Sequence, residues 1–181
     1  MAKVVDAISA DLARWISEQP MFFVATAPSG SDGHVNLSPK GLAGLAILGP
    51  RRVAYLDLTG SGVETIAHLR DNGRITIMFC AFTGPPRICR LHGRGTVHAL
   101  GSERFDALRP EFPDLPGARA VIEIDVTRVS TSCGYAVPRM DLVEERDNLT
   151  RWADHKGKDG LVEYRETTNA TSIDGLAGFP S

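Results

Sequence analysis

Several polar side chains follow one another between His34 and Gly41, where a short strand is predicted. Side chains alternate between the two faces of a strand, so His34, Asn36 and Ser38 share one face. Lys40 extends that row just past the strand end. A row of donors and acceptors with one ammonium group suits hydrogen bonding to a polar ligand, and it equally suits a strand face that meets only water.

The opposite face of the same strand is apolar, because it carries Val35 and Leu37. A barrel buries one face of each strand, and apolar side chains are the usual ones to be buried. We therefore expect Val35 and Leu37 to point into the core and the polar row to point away from it.

A second group of residues lies where a predicted strand runs into a glycine-rich turn and then a helix. Ser61 and Thr65 offer hydroxyl groups there, and Gly60 and Gly62 let a ligand approach the backbone. Free N–H groups and the helix dipole attract anions to a helix N-terminus, so this turn suits a phosphate. A capped helix without a ligand is the alternative, because Ser61 and Glu64 have the spacing of a capping box. Neither a GxGxxG nor a GxxxxGK[ST] motif is present.

A third group is basic and lies on one face of a long predicted strand. Arg90, His92 and Arg94 share that face with Ile88. Basic groups in such a row either pair with neighbouring carboxylates or face an anionic ligand.

The histidines and cysteines predict no metal site. The five histidines have no metal-like spacing, and the three cysteines form no CxxC pair. Cys133 is expected at a strand end, but no base is identified beside it, so a small hydrophobic role is favoured over a nucleophilic one.

Composition narrows the class of protein. The net charge is −2, which gives no electrostatic reason to expect nucleic acid as a partner. No apolar run approaches the ~20 residues of a membrane span. The number of cysteines is odd, and the sequence shows no export signal. We therefore expect a cytoplasmic protein without a membrane segment.

The elements that must position these residues are mostly strands joined by turns. The predicted strands cover residues 22–26, 34–38, 52–58, 74–82, 87–99 and 119–132. The predicted helices cover residues 3–18, 62–71 and 101–109, with another opening at Asp141, whereas residues 42–49 are predicted to be a loop and the last 25 residues show no clear period. Gly93 and Gly95 predict a bulge or bend. Sequential hairpins favour an antiparallel sheet that closes into a barrel.

In this order, the segments resemble the pyridoxamine 5′-phosphate oxidase-like, FMN-binding split-barrel superfamily over roughly residues 5–130. The motifs that carry the resemblance are the stretches at residues 22–26, 35–41, 53–57, 60–65, 72–79 and 91–95. The resemblance implies a mainly β fold, a six-stranded antiparallel split β-barrel with short flanking helices. It also implies residues 1–135 as the FMN-binding domain and residues 136–181 as a C-terminal helix and irregular extension packed on it.

The resemblance further implies a homodimer with two flavins at the interface. By position, the residues expected to bind FMN are Asn36, Ser38, Lys40, Gly41, Asp57, Gly60, Ser61 and Thr65, with Arg90 reaching the cofactor from the long strand. The flavin would perform the redox chemistry on a small molecule that the sequence does not identify.

One departure from the family pattern bears on the cofactor. The oxidase proper has an Arg-Lys pair at the helix start, where this chain has Glu64 and Thr65. The phosphate charge would then be met by Lys40, an arginine such as Arg90 or Arg94, and the helix N-terminus. Related proteins bind a deazaflavin coenzyme or heme, so an FMN-dependent oxidoreductase, a non-catalytic binder of one of these cofactors and a dimeric scaffold without cofactor all remain hypotheses.

Overall fold

A computed structural model describes residues 3–179 and shows eight strands and four helices in that range. The strands are β1 (Lys3–Val5), β2 (Phe22–Thr26), β3 (Asn36–Lys40), β4 (Leu45–Gly49), β5 (Arg52–Leu58), β6 (Arg74–Cys80), β7 (Ile88–Ala99) and β8 (Ala118–Ser132). The helices are α1 (Ala10–Ser17), α2 (Glu64–Asn72), α3 (Glu103–Leu108) and α4 (Asn148–Thr167).

The strands form one antiparallel sheet in the order β3-β2-β6-β7-β8-β5-β4, with β1 also paired to β8. β3 and β4 are the two ends of this order and are not hydrogen-bonded to each other, so the sheet curls into a barrel that stays open. The architecture is that of a split barrel, as expected, with two strands more than the sequence predicts.

The core lies inside the curled sheet, where α1 and α2 cover it. Its buried side chains include Leu12 and Ile16 of α1 and Ile66 and Leu69 of α2. A second, smaller cluster lies on the other side of β5 and β8, where α3 packs Phe105 and Leu108 against them. Because both faces of β5 are covered, its side chains are buried without alternation.

The register of β7 with β8 is irregular at Gly93, where the sequence predicts a bulge or bend. His92 pairs with Arg128 and Gly93 pairs with Val126, so the additional residue, Thr127, is in β8 and the bulge lies opposite the glycine. A Cβ atom at Gly93 would overlap the Asp125 carbonyl oxygen and lie 2.9 Å from Ile124 Cγ2. Only glycine lets β7 and β8 approach this closely, and the bulge bends the sheet toward closure.

The polar strand at residues 36–40 alternates as predicted, but with the opposite face turned inward. Val35 is 75% exposed and Leu37 is 63% exposed, whereas Asn36, Ser38 and Lys40 are partly buried. The prediction that Val35 and Leu37 enter the core is therefore wrong. Alternation fixes which residues share a face, while the inward face is set here by the cleft that the barrel encloses.

Two predictions near the N-terminus are also wrong. Lys3–Val5 is not helical but pairs with β8 opposite Val129–Thr131, and α1 begins only after Ser9, whose side chain accepts a hydrogen bond from the Leu12 N–H at 3.2 Å. Helical spacing is a local signal, so it does not show whether a segment will pair with a strand that is far away in the sequence. Likewise, the predicted loop at residues 42–49 contains β4, which pairs with β5.

The helices that were expected from cap residues begin elsewhere. α2 starts at Glu64 after Val63, without a side-chain cap, so the predicted capping box of Ser61 and Glu64 does not form. The helix expected from Asp141 begins at Asn148 and continues to Thr167. A kink at Gly157 (φ 65°, ψ 178°) interrupts it, which obscures a helical period in the sequence.

Candidate functional site

A cleft of about 400 Å³ opens between β3, the end of β5 and the start of α2. Of the nine residues that the sequence predicts to bind cofactor, eight line it: Asn36, Ser38, Lys40, Gly41, Asp57, Gly60, Ser61 and Thr65. The polar row of β3 and the amide-rich turn, which are far apart in sequence, therefore meet in one site within a single chain.

Asn36 lies at one end of the cleft and belongs to a short buried chain of polar groups. Its Nδ2 donates to the hydroxyl oxygens of Thr26 at 3.1 Å and Thr65 at 3.0 Å. The Thr26 hydroxyl in turn lies 3.0 Å from Nδ1 of His68, which is fully buried on α2. Burial lowers the pKa of His68, although the nearby carboxylates of Asp174, Glu64 and Asp71 act in the opposite direction.

Two hydroxyl groups in this region are buried without a hydrogen-bond partner. They are Ser38 Oγ, in the wall of the cleft, and Tyr55 Oη, behind it. Burial, followed by the negative charge of Asp57, raises the pKa of Tyr55 well above its usual value. A buried polar group is normally paired, so an unpaired hydroxyl in a cleft wall is a position where a ligand atom fits.

The floor of the cleft is an ion pair between Asp57 and Arg119. Arg119 Nε donates to Asp57 Oδ2 at 2.6 Å, and both side chains are almost completely buried. Lys40 Nζ lies 3.7 Å from the other oxygen of Asp57 and is partly exposed. Because Arg119 already neutralises Asp57, the charge of Lys40 is available to an anionic ligand.

The C-terminal segment closes the back of the site through Asn169. Its Oδ1 accepts from Arg119 Nη1 at 2.8 Å, and its Nδ2 donates to the Gly60 carbonyl oxygen at 3.0 Å. Arg165 Nη1 lies near the Thr59 hydroxyl at 3.4 Å. The glycine-rich turn is thus held by residues more than a hundred positions away in sequence.

Arg90 is the one predicted residue that the structure does not bring to the cleft of its own chain. It lies on β7, where Nη1 donates to Ser132 Oγ at 3.3 Å. Its neighbours in the basic row have similar local partners, since His92 Nδ1 lies 3.1 Å from the Thr76 hydroxyl and Arg94 donates to the Asn72 carbonyl oxygen at 2.8 Å. Burial, then the charges of Arg128 and Arg90, lower the pKa of His92. His34, of the polar row, lies outside the cleft and pairs with Asp174 at 2.7 Å.

Sequence reasoning missed Arg119, Asn169 and His68. A charged residue at the start of an otherwise β-branched strand was a usable signal for Arg119. Nothing local marks Asn169 or His68, because their partners are brought close only by the tertiary fold.

The remaining reactive groups are outside the cleft. Cys80 and Cys89 are buried, and burial raises the pKa of Cys89 to about 11, whereas Cys133 is exposed. In the part of the chain that the structure describes, no three His, Cys, Asp or Glu side chains are placed to hold a metal ion. No helix within residues 3–179 is long and apolar enough to cross a membrane.

An open antiparallel barrel with a polar cleft between its first hairpin and a crossing helix defines a protein of the split-barrel class. The family model described as pyridoxamine 5′-phosphate oxidase matches residues 8–133. The chain is also 42% identical to the pyridoxamine 5′-phosphate oxidase family protein ustO of Aspergillus flavus, covering 97% of this chain and 77% of that protein. The chain therefore belongs to the pyridoxamine 5′-phosphate oxidase family.

Solved structures share the fold at low sequence identity. A putative pyridoxamine 5′-phosphate oxidase from Lactobacillus delbrueckii has a TM-score of 0.53 and 15% identity, covering 69% of this chain and 94% of its own. The FAD-binding protein from Mycobacterium smegmatis has a TM-score of 0.51 and 11% identity, covering 72% of this chain and 97% of its own. These similarities support the fold.

Proposed function

We propose that this chain is a flavoprotein that binds FMN in the cleft between β3 and α2. The observation that carries the proposal is the buried, unpaired hydroxyl of Ser38 beside the available ammonium group of Lys40. The α2 N-terminus, which has no side-chain cap, adds free backbone amides to the same cleft. The FAD-binding protein from Mycobacterium smegmatis, which shares the fold, adds support for a flavin.

The charged side chains of the cleft are equal in number of each sign, and Lys40 is the basic one that is available to a phosphorylated ligand. Among its lining residues Lys40 and Arg119 are basic and Asp57 and Glu64 are acidic, and Asp57 is already paired with Arg119. The Glu64 carboxylate lies beside the turn, where it accepts from the Ile173 N–H at 3.4 Å and where a Cβ atom at Gly62 would overlap its Oε2. Lys40 and the turn amides are therefore the groups that would meet the phosphate.

A flavin suits this cleft better than heme. Heme iron is held by His, Cys, Met or Tyr side chains, and none of these lines the cleft in the described part of the chain. Hydroxyl, amide and ammonium groups dominate the polar lining instead, and they match the phosphate and ring heteroatoms of FMN or a deazaflavin coenzyme.

We further propose an FMN-dependent oxidoreductase that acts on a small molecule. The flavin supplies two-electron redox chemistry when bound, and this chain binds it, orients it and shields it from water. A non-catalytic flavin carrier is the alternative. It is favoured by the absence, among the described residues, of a carboxylate in the cleft that is free to act as a base, since Asp57 is paired with Arg119 and Glu64 lies beside the Ile173 N–H.

A homodimer is the third part of the proposal. The outer face of the sheet carries a row across four strands, in which Pro39, Phe23, Met78 and Arg90 are aligned by strand pairing. Leu37 lies in the adjacent row and is exposed. A partly exposed, mainly apolar sheet face of this kind is typical of a protein interface, and Arg90 lies on it.

Titration of the purified protein with FMN, followed by quenching of flavin fluorescence, tests the cofactor. Lys40→Ala and Ser38→Ala should each weaken binding, roughly tenfold or more for Lys40→Ala because a charge-assisted contact is worth about 1.5–3 kcal/mol. Riboflavin lacks the phosphate, so Lys40→Ala should also reduce the preference for FMN over riboflavin, while the turn amides retain part of it.

The matched controls for this titration are Lys158→Ala and Ser31→Ala, which change the same residue types at exposed positions outside the cleft. Both should bind FMN as the unmodified protein does. Equal affinity in all four variants would contradict the site. Reduction of the bound flavin by NAD(P)H, followed by turnover with an acceptor, would favour the oxidoreductase over the carrier.

A further inference from the structure

The distances in the buried chain of His68, Thr26 and Asn36 allow an arrangement in which each hydrogen bond has one donor and one acceptor. Asn36 Nδ2 donates to Thr26 Oγ1 at 3.1 Å, so the Thr26 hydroxyl accepts there and its own proton needs another acceptor. The atom within reach is His68 Nδ1, at 3.0 Å. In this arrangement His68 accepts at Nδ1 and carries its proton at Nε2, which has no hydrogen-bond partner among the described residues.

The surroundings of His68 are compatible with this tautomer. Burial lowers the pKa of His68, so the ring is neutral near pH 7 and has a single N–H. Glu64 and Asp71 of α2, together with Asp174 of the C-terminal segment, are the charged groups that act on the ring. These carboxylates and a hydrogen bond with the Thr26 backbone raise the pKa of His68, in opposition to burial.

The arrangement determines what Asn36 presents to a ligand. Both hydrogens of its Nδ2 are used, by Thr26 and by Thr65, and no described residue donates to its Oδ1. Oδ1 is also not closed off from solvent, and Asn36 lines the cleft. The cleft therefore offers a hydrogen-bond acceptor at this point.

We propose that His68 is a positioning residue that holds the Asn36 amide through Thr26, so that the cleft selects a ligand with an N–H donor at Asn36. The inference rests on the proposed flavin binding, and the donor that fits is the imide N3–H of the flavin ring. An acceptor oxygen is unfavourable beside a phosphate, so the phosphate lies toward Lys40. Lys40 is four residues along the same face of β3, a separation of ~13 Å.

The test compares FMN with N3-methyl-FMN, which has lost this donor, in fluorescence titrations. The unmodified protein should bind N3-methyl-FMN about tenfold more weakly, because a buried acceptor loses its donor. In His68→Leu, the Thr26 proton can turn to Asn36 Oδ1 and reverse the amide, so the discrimination should fall below about threefold. His68→Asn keeps an acceptor near the Nδ1 position and should retain the discrimination.

The ratio of the two affinities is insensitive to a general loss of stability, and thermal unfolding identifies any variant that is not folded. If His68→Leu does not fold, Thr26→Val removes the linking hydroxyl at similar shape, and its ratio should fall in the same way. Nitrogen-15 NMR of the imidazole supplies a readout without ligand, and a proton at Nε2 is expected.

The outcomes separate this inference from the proposed function. A protein that binds neither FMN nor its methyl analogue contradicts both. A protein that binds both compounds equally well, a ratio that persists in folded His68→Leu, or a proton found at Nδ1 overturns the role of His68 while leaving flavin binding intact.

Discussion

Arg119 brings a positive charge into the interior and uses each of its three nitrogens there. They donate to Asp57 Oδ2, Asn169 Oδ1 and the Gly62 carbonyl oxygen at 2.6, 2.8 and 2.9 Å. Removing one member of a buried ion pair leaves the other charge without compensation, which is far more costly than losing an exposed pair. Arg119 is therefore the residue on which the cleft floor depends most.

Arg119→Met should lower the free energy of unfolding by about 3–5 kcal/mol, as expected for a broken buried pair. Urea unfolding followed by circular dichroism measures it. Arg151→Met is the matched control, because Arg151 pairs with Asp147 at 3.2 Å on the surface, and its loss should cost at most about 1 kcal/mol. Similar losses in both variants would show that the buried pair contributes no more than the exposed one.

His68 predicts a pH dependence of stability. Burial lowers its pKa in the folded chain, so the unfolded chain binds the proton more tightly. The contribution of neutral His68 is complete above about pH 6.5 and is lost as the pH falls below that value. Unfolding free energies between pH 7 and pH 5 should therefore decline more steeply in the unmodified protein than in His68→Asn. His92, whose pKa is also lowered, is present in both proteins and cancels. Parallel curves would contradict this.

At the scale of elements, β3 shows what alternation in a sequence can and cannot reveal. Asn36, Ser38 and Lys40 were correctly grouped on one face, and they do share the cleft. Hydrophobicity then assigned Val35 and Leu37 to the interior, whereas both are exposed. A strand that lines a polar cleft and ends a sheet reverses the usual rule, so the pattern gives the grouping but not the direction.

The other elements were predicted or missed according to whether their sequence signal is local. β2, β5, β6, β7, β8 and α3 were predicted, because their apolar runs are bounded by glycine, proline or polar turns. β1 and β4 were missed, since their pairing with β8 and β5 is a tertiary contact. The cleft was partly predicted from its β3 and turn residues. The charge at a strand start was an unused signal for Arg119, whereas Asn169 could not be predicted because it reaches the cleft from a distant segment.

Gly93 of β7, which lies opposite the bulge in β8, gives a prediction at this scale. Gly93→Ala should destabilise the protein by about 1–3 kcal/mol, because the new methyl group would overlap the backbone of Asp125. Gly30→Ala is the control, since nothing lies within 4 Å of a Cβ built there. Thermal unfolding of the two variants measures the difference. A tolerated Gly93→Ala would mean that β7 and β8 can separate at no cost.

At the scale of the whole molecule, the exposed face formed by β3, β2, β6 and β7 is the surface most suited to a second copy of the chain. Leu37→Arg should shift sedimentation toward the monomer, because it places a charge in the interface. Leu100→Arg changes another exposed leucine, at the turn after β7, and should leave the assembly unchanged. A Leu37→Arg protein that sediments like the unmodified one would contradict this interface.

The hydrogen bonds of Asn169 with Arg119 and Gly60 connect the C-terminal segment to the cleft. A ligand that pulls on the cleft floor or stiffens the glycine-rich turn also acts on residues 169–179, whose Phe179 ring lies 5.9 Å from the Arg119 guanidinium carbon. Coupling of this kind is reciprocal. An ordered segment 169–179 should therefore raise the affinity for a ligand, and a bound ligand should slow amide exchange in that segment. Amide exchange in the C-terminal segment should thus report whether a ligand occupies the cleft.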